Sequence, residues 1–392
     1  MADIRFFNPA FQWALVFIGL VWIKRVFWMR SFKISNPPLI PITQKISQSP
    51  KVSIIVPARN EEKNIGNCLK YLTAQNYPNY EIICVDDRSN DKTGTIIESF
   101  QKNSSVPIKI VRIEKLPQGW TGKNYAMFTG SKAASGEWIL FTDADTTHKP
   151  KSLSTALFHV LGQKIDFLTL APETESKTFW ENVVQPLAVS SLALWFQTHK
   201  VNNPKNPITL ANGQFILVKR SVYDATGGNE SVKNEVIEDV EFAKRIKAFG
   251  FNVKFLNGTL LYSTRMYSTL KEIKTGWTRI FTYLFNKKVF PIIKKIFLFI
   301  FFSILPFFIL LTETILKFTS TGYFSRTIFT LSFGVCLLIV TIRFFGNKLM
   351  KSNPWYAVFH PLGSLIMVWI LFSCVGRIIF QRPSTWRGDL YR

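Results

Sequence analysis

Cysteine and histidine are both scarce in this chain of 392 residues, at four each. Cys68, Cys84, Cys336 and Cys374 lie far apart, with no CxxC pair and no histidine partner nearby. That spacing excludes a zinc-finger type of site and a disulfide framework, and it fits a reducing compartment. Acidic residues are also few, 25 against 48 Lys and Arg, which leaves a net charge of +23. The surplus is uneven: +5 in residues 1–50, +5 in 51–270 and +13 in 271–392. A nucleic-acid binder would gather basic residues on its folded domain, whereas here they flank apolar runs, so no nucleic-acid partner is expected. The turn "PARNEEKN" after the first β-branched run contains no GxGxxG. Without that glycine cradle for a pyrophosphate, an ordinary dinucleotide-binding redox fold is excluded.

Long apolar runs occupy both ends. "FQWALVFIGLVWIKRVFWM" (Phe11 to Met29) is interrupted by Lys24 and Arg25, so it reads either as a span or as an interfacial helix whose cations snorkel. No small-residue cleavage site follows it, so it is not a removed signal. After Lys294 come "IFLFIFFSILPFFILLTETIL", "TIFTLSFGVCLLIVTI" and "WYAVFHPLGSLIMVWILFSCVG". Each is about the length of a bilayer core, roughly 20 residues. Arg30, Lys33, Lys287, Lys288, Lys294 and Lys295 place the intervening segment on the cytoplasmic side by the positive-inside rule. The expected location is therefore the cell membrane, multi-pass, with a cytoplasmic catalytic domain. Three full C-terminal crossings would carry the tail outside, although Arg377, Arg382, Arg387 and Arg392 favour the inside. The block with Pro306 and Glu313 is accordingly expected to be bent, re-entrant or interfacial. The expected organisation is a membrane helix and linker over 1–48, an α/β domain over 49–285 and a membrane region over 286–392.

The middle of the chain alternates β-branched runs with amphipathic ones. "KVSIIVP" (51–57), "YEIICVDD" (80–87), "PIKIVRI" and "GEWILFTDAD" read as strands, and "EEKNIGNCLKYLTAQ", "GTIIESFQK" and "KNYAMFTGSKAA" as the helices between them. Repeated β-α-β units predict a parallel sheet with right-handed crossovers and a ligand at its strand ends. Polar groups collect at those ends: Glu61 and Glu62, Asp86 and Asp87, Asp143 and Asp145. Along an extended chain Asp143 and Asp145 leave on the same face, and two hard oxygen donors suit Mg²⁺ or Mn²⁺. A turn cap is the alternative for an isolated DxD. His148, three residues on, reads as a loop histidine or a metal ligand.

The match is not isolated. "VSIIVPARNEE", "ICVDDRSNDKT", "GWTGKNYA", "FTDADT" and "EVIEDVEFAKRIKAFG", in this order, resemble the family 2 glycosyltransferases of the GT-A fold, over roughly residues 50–285. The resemblance implies a Rossmann-like nucleotide-diphospho-sugar transferase domain between an N-terminal membrane anchor and C-terminal transmembrane helices. It implies that Pro57, Ala58, Arg59 and Glu61 hold the nucleotide, that Asp86 and Asp87 contact uracil or ribose, and that Lys123 meets diphosphate or sugar. Asp143 and Asp145 become the metal and diphosphate site for Mg²⁺ or Mn²⁺, with Asp145 the direct ligand. In the ED motif Asp239 is the general base on the acceptor and Glu238 positions it. An inverting, single displacement is implied.

The QxxRW sequence of processive members is missing; "STRMYSTLKEIKTGWTRIFTY" stands in its place, with Trp277 and Arg279. "LPQGWTGKNYA", "RMYSTLKEIKTGWTR" and "TWRGDLY" resemble the carotenoid- and hopanoid-associated transferases of the diaponeurosporenoate type. That implies a UDP-sugar donor, a lipid acceptor and Arg279 at the diphosphate, unless Trp277 and Arg279 are interfacial anchors. A ceramide or other glycolipid glucosyltransferase, a polysaccharide synthase with a degenerate acceptor motif and an inactive membrane scaffold are the competing readings.

Overall fold

The computed structural model describes residues 8–44, 49–319, 323–386 and 389–391. Compactness divides the chain differently from the linear segments 1–48, 49–285 and 286–392. One unit draws on Met1–Ser35, Ser176–Leu192 and Tyr267–Arg382, the other on Asn36–Glu175, Ala193–Met266 and Pro383–Arg392.

The second unit is built on a seven-stranded sheet. Its strands are β1 (Val52–Ala58), β2 (Tyr80–Asp87), β3 (Ile108–Ile113), β4 (Trp138–Phe141), β6 (Phe167–Ala171), β8 (Ile216–Lys219) and β9 (Val253–Asn257). The short strands β5 (Thr146–His148), β7 (Glu173–Thr174) and β10 (Tyr262–Thr264) form a second, three-stranded sheet. The large sheet runs in the order β3-β2-β1-β4-β8-β6-β9. Its strands are apolar on both faces because helices cover both. Ile54, Val56, Ile82, Cys84 and Leu140 join one apolar layer, and the alternate residues Ile55, Ile83, Val85, Ile139 and Phe141 join the other. The helix Ile65–Leu72 buries Ile65, Cys68, Leu69 and Leu72, the single stripe that its helical spacing dictates. All four cysteines are free and buried.

Strands β1 to β4 pair in parallel, as the repeated β-α-β pattern predicts. The sheet as a whole is mixed, however, because β8 runs antiparallel to both β4 and β6. Reversing β8 brings its first residues to the same sheet edge as the last residues of β4. The Thr142 hydroxyl, just past β4, donates to the Gln214 carbonyl at 2.8 Å and fastens the two ends together.

Asp143 and Asp145 correct the expectation of an extended chain: β4 stops at Phe141, and Ala144 and Asp145 form a turn. The Thr146 hydroxyl closes it by donating to the Asp143 carbonyl at 2.7 Å. Ala144 is buried while both aspartates stay partly exposed, so the two carboxylates still leave the core side of the chain. His148 is neither in a loop nor placed as a metal ligand. It lies in β5, 1% exposed, with its ring stacked on Tyr262 and its Nε2 2.8 Å from Thr142 Oγ1. Burial pulls its pKa down to about 3, so it is a neutral core residue.

Among the described residues of the first unit, four helices are long and apolar enough to cross a membrane: Pro9–Ser35, Val289–Phe318, Arg326–Leu349 and Pro354–Ile379. Pro306 does not break the second of these. The helix passes through a π-turn at Ile300–Ile304 and continues to Phe318. Proline offers no N–H to the carbonyl four residues earlier, that of Phe302. The indole N–H of Trp22 takes over that carbonyl at 2.8 Å. Glu313 has a structural partner too, since its carboxylate accepts the N–H of Ser325 at 2.8 Å, at the start of the next helix. The helix Leu270–Leu284 opens with a capping box between Thr269 and Glu272.

Trp22→Phe leaves the Phe302 carbonyl without a donor and is expected to destabilise this unit by about 1–3 kcal/mol. Adding Pro306→Ala restores a backbone donor and should recover part of the loss. Thermal midpoints of the single and double variants in detergent check this, and additive losses would refute the pairing.

Candidate active site

At the C-terminal edge of the parallel strands a lysine joins the turn after β4 to the start of the helix Glu238–Ala248. Thr121 caps the helix Gly122–Ala133, its hydroxyl accepting the N–H of Asn124 at 3.4 Å, so Lys123 lies in the first turn. Its ammonium reaches Asp143 Oδ1 at 2.7 Å and Glu238 Oε1 at 3.0 Å. Asn124 fixes the approach to Glu238 by donating to the carbonyls of Val232 at 2.7 Å and Glu235 at 3.2 Å. The helix Glu238–Ala248 then begins with the two acids themselves. Asp239 Oδ2 accepts the backbone N–H of Gly213 at 2.7 Å, and Oδ1 accepts the N–H of Val240 at 2.9 Å.

Charges so close together perturb one another. Burial and the neighbouring Glu238 raise the Asp239 carboxyl, against the lowering pull of Lys123 and two backbone donors, to about 7. Burial disfavours the Lys123 ammonium, but Asp143, Glu238 and Asp239 outweigh it and hold the lysine well above its ordinary value. Lys123 therefore stays a cation, and the Asp239 carboxyl changes charge near neutral pH.

The other expected residues take distinct places. Pro57 and Ala58 end β1, with Ala58 in register with Asp86 of β2. Arg59 follows directly. Glu61 is buried, its N–H bound to Thr93 Oγ1 at 2.8 Å and its carboxylate accepting from Asn64 at 2.7 Å. Asp86 is half-buried and accepts the Ser89 N–H at 3.3 Å. Asp87 is 3% exposed and paired with Arg88 at 2.7 Å, which leaves Asp86 the freer of the two for a ligand. Asp91 closes the turn that follows, accepting the N–H groups of Glu62 and Thr93. Arg279 belongs to the other unit, on the helix Leu270–Leu284. Trp277 is no interfacial anchor: it is 2% exposed and donates to Gln185 at 2.7 Å.

Two features escape a reading of motifs. Asn60 and Arg88, at the ends of adjacent strands, both take left-handed backbone, φ 53° and 54°, which strains a side chain such as arginine. Gly213 is the second. A Cβ there would stand 2.9 Å from Lys123 Nζ, 3.3 Å from Glu238 Oε1 and 3.4 Å from Asp239 Oδ2. The glycine of "ANGQF", directly before an apolar strand, was the available sign of a close approach.

Residues 53–227 match the model of glycosyl transferase family 2. They form a family 2 glycosyl transferase domain. The 4,4'-diaponeurosporenoate glycosyltransferase of Staphylococcus aureus MRSA252 is 27% identical over 238 residues, 58% of this chain and 60% of that one. Its counterpart from strain USA300 is 26% identical over the same shares. The match thus spans 60% of the length of these relatives. A mannosyltransferase from Pyrobaculum calidifontis, solved with GDP-Man and Mn2+, aligns with a TM-score of 0.54 at 15% identity, over 95% of this chain and 99% of that one. The likeness establishes the GT-A fold for the glycosyl transferase domain.

Gly213→Ala should push the Lys123 head out of its seat and lower turnover of a nucleotide sugar by about tenfold or more, since small misplacements at a reacting centre are amplified. The thermal midpoint should barely move. Unchanged turnover would show that the cluster tolerates a displaced lysine.

Proposed function

We propose that this chain is a membrane-bound inverting glycosyltransferase that moves a sugar from a UDP-sugar to a lipid acceptor of the carotenoid or hopanoid class. The observation that carries the reading is the single cluster of Lys123, Asp143, Glu238 and Asp239 around Gly213. Four apolar helices long enough to span a bilayer, and relatives whose name denotes a carboxylate acceptor, support the lipid assignment.

Asp86 and the β1 loop from Pro57 to Glu61 would take the nucleoside. Among the described residues no three His, Cys, Asp or Glu side chains converge on one metal position. Two carboxylates, Asp143 and Asp145, nonetheless suit a hard cation that draws its other ligands from water and diphosphate. Asp145 would be the direct ligand of Mg²⁺ or Mn²⁺, beside Asp143, which Lys123 contacts. When bound, that ion would offset negative charge on the departing diphosphate.

Asp239 takes the proton of an acceptor hydroxyl as its oxygen attacks the anomeric carbon. The bond from that carbon to the diphosphate breaks, and the nucleoside diphosphate leaves on the opposite face. Burial and Glu238 keep the Asp239 carboxyl raised, and the N–H groups of Gly213 and Val240 orient it. A carboxylate acceptor is ionised at neutral pH and depends more on positioning than on the base.

The test is to incubate purified protein with labelled UDP-glucose, UDP-galactose or UDP-N-acetylglucosamine, Mg²⁺ or Mn²⁺ and membrane lipid, and to identify products by mass. One sugar on one lipid is expected; a polymer, or no labelled lipid and no UDP release, overturns the reading. Asp239→Asn should still bind UDP but lose transfer to a hydroxyl acceptor by about 10²–10⁴-fold. Because the base must be ionised and its pKa is raised to about 7, wild-type transfer to a hydroxyl acceptor should rise with pH across neutrality. A flat profile across that range would remove Asp239 from the role.

A further inference from the structure

The membrane unit contains cations that its own carboxylates do not neutralise. Its described acids are Glu181, Glu272 and Glu313, and each accepts backbone N–H groups: Glu181 from Lys177, Glu272 from Ser268 and Glu313 from Ser325. Arg25 and Arg343, by contrast, form no ion pair among the described residues. The Arg25 guanidinium lies 4.3 Å from the centre of the Trp22 ring. Arg343 donates only to neutral oxygens, Ser190 Oγ at 3.0 Å and Asn347 Oδ1 at 3.1 Å. A guanidinium carries five N–H donors, so most of its capacity is unspent.

The two arginines stand at one level. A Cβ on Gly19 would meet Val335 at 3.6 Å, and one on Gly346 would meet Met29 at 3.5 Å. The helices Asn8–Ser35 and Arg326–Leu349 therefore run parallel, in a register that sets Arg25 beside the turn containing Arg343. Arg25 and His360 both pack on the Trp22 ring. His360 is 4% exposed and meets the edge of the Trp22 ring at 5.6 Å. Its Nε2 lies 3.4 Å from the Ser364 hydroxyl, while its Nδ1 is buried with no hydrogen-bond partner. A buried polar atom left unpaired costs about 1–3 kcal/mol unless something else binds it.

We propose that Arg25, Arg343 and His360 form an oxyanion site in the membrane unit for the phosphate or carboxylate of an anionic lipid. Two forked guanidinium groups match either oxyanion bidentately, and the Nδ1–H of His360 gives a further donor when Ser364 donates to Nε2. Arg25 lies ten residues before Ser35, and Arg343 six before Leu349, which puts them about 15 and 9 Å from the helix ends. The proposal rests on the reading of this unit as membrane-spanning.

The experiment uses the full chain. Carbonate-washed membranes first establish insertion; protein released by the wash refutes the membrane reading itself. Delipidated protein is then titrated in neutral detergent with phosphatidylglycerol, oleate, phosphatidylcholine or inorganic phosphate and followed by native mass spectrometry. Selective retention of phosphatidylglycerol or oleate over phosphatidylcholine is expected, and the preferred one names the oxyanion. Inorganic phosphate at millimolar concentration should not displace it. Arg25→Gln and Arg343→Gln should each weaken retention by about tenfold, corresponding to loss of one charge-assisted contact. Lys24→Gln, at an exposed position on the same helix, should leave it unchanged. Arg25→Lys should recover part of the binding while preserving the charge, which separates ligand binding from folding. Equal retention of all three lipids, displacement by free phosphate, or loss in Lys24→Gln matching that in Arg25→Gln would overturn the proposal.

Discussion

Everything at the sheet edge depends on one ammonium group among carboxylates. Without Lys123, Asp143, Glu238 and Asp239 would repel one another across a half-buried space, and the turn after β4 and the start of the helix Glu238–Ala248 would have no reason to approach. With it, three segments distant in sequence share one electrostatic centre. The compensation is partial by construction. Lys123 pairs directly with Asp143 and Glu238, whereas Asp239 receives only backbone donors and a more distant pull, so its proton is held more tightly. A carboxyl that titrates near neutral pH is the direct result of that unequal sharing.

The fold supplies the geometry this cluster needs. Reversing β8 carries the Asn212–Gln214 segment to the end of β4, and the Thr142 to Gln214 bond keeps it there. Gly213 can then present its N–H to Asp239 with no side chain in the way. His148, which a motif search would offer to a metal, lies behind the turn instead and stiffens it through Thr142 and Thr146.

The membrane unit follows the same rule of satisfaction in a more demanding medium, where an unpaired polar group has no water to fall back on. Trp22 takes the carbonyl that Pro306 orphans, and Glu313 caps the helix that follows it. Seen against that economy, two arginines without an ion pair and a histidine nitrogen without a hydrogen-bond partner stand out among the described residues.

Much of this was legible in the residues. The β-branched runs from "KVSIIVP" to "GEWILF" and the amphipathic stretches between them specified the parallel half of the sheet, because burial on both faces leaves a continuous apolar signature. The acids of "DAD" and "IEDVE" and the lysine of "TGKN" were recognisable from their order. Three things were not. The direction of β8 depends on which sheet edge its preceding loop reaches, and a run of four apolar residues carries no sign of direction. The buried state of His148 depends on Phe215 and Tyr262, both remote in sequence. The role of Gly213 depends on three side chains from other segments arriving within van der Waals distance of one backbone atom. Sequence by itself determined which groups would be charged, apolar or flexible, since those are properties of residues and their near neighbours. Only the tertiary structure decided which charges would share one lysine and which would be left without a counter-ion, because electrostatic energy is set by distance and burial across segments that the linear chain keeps apart.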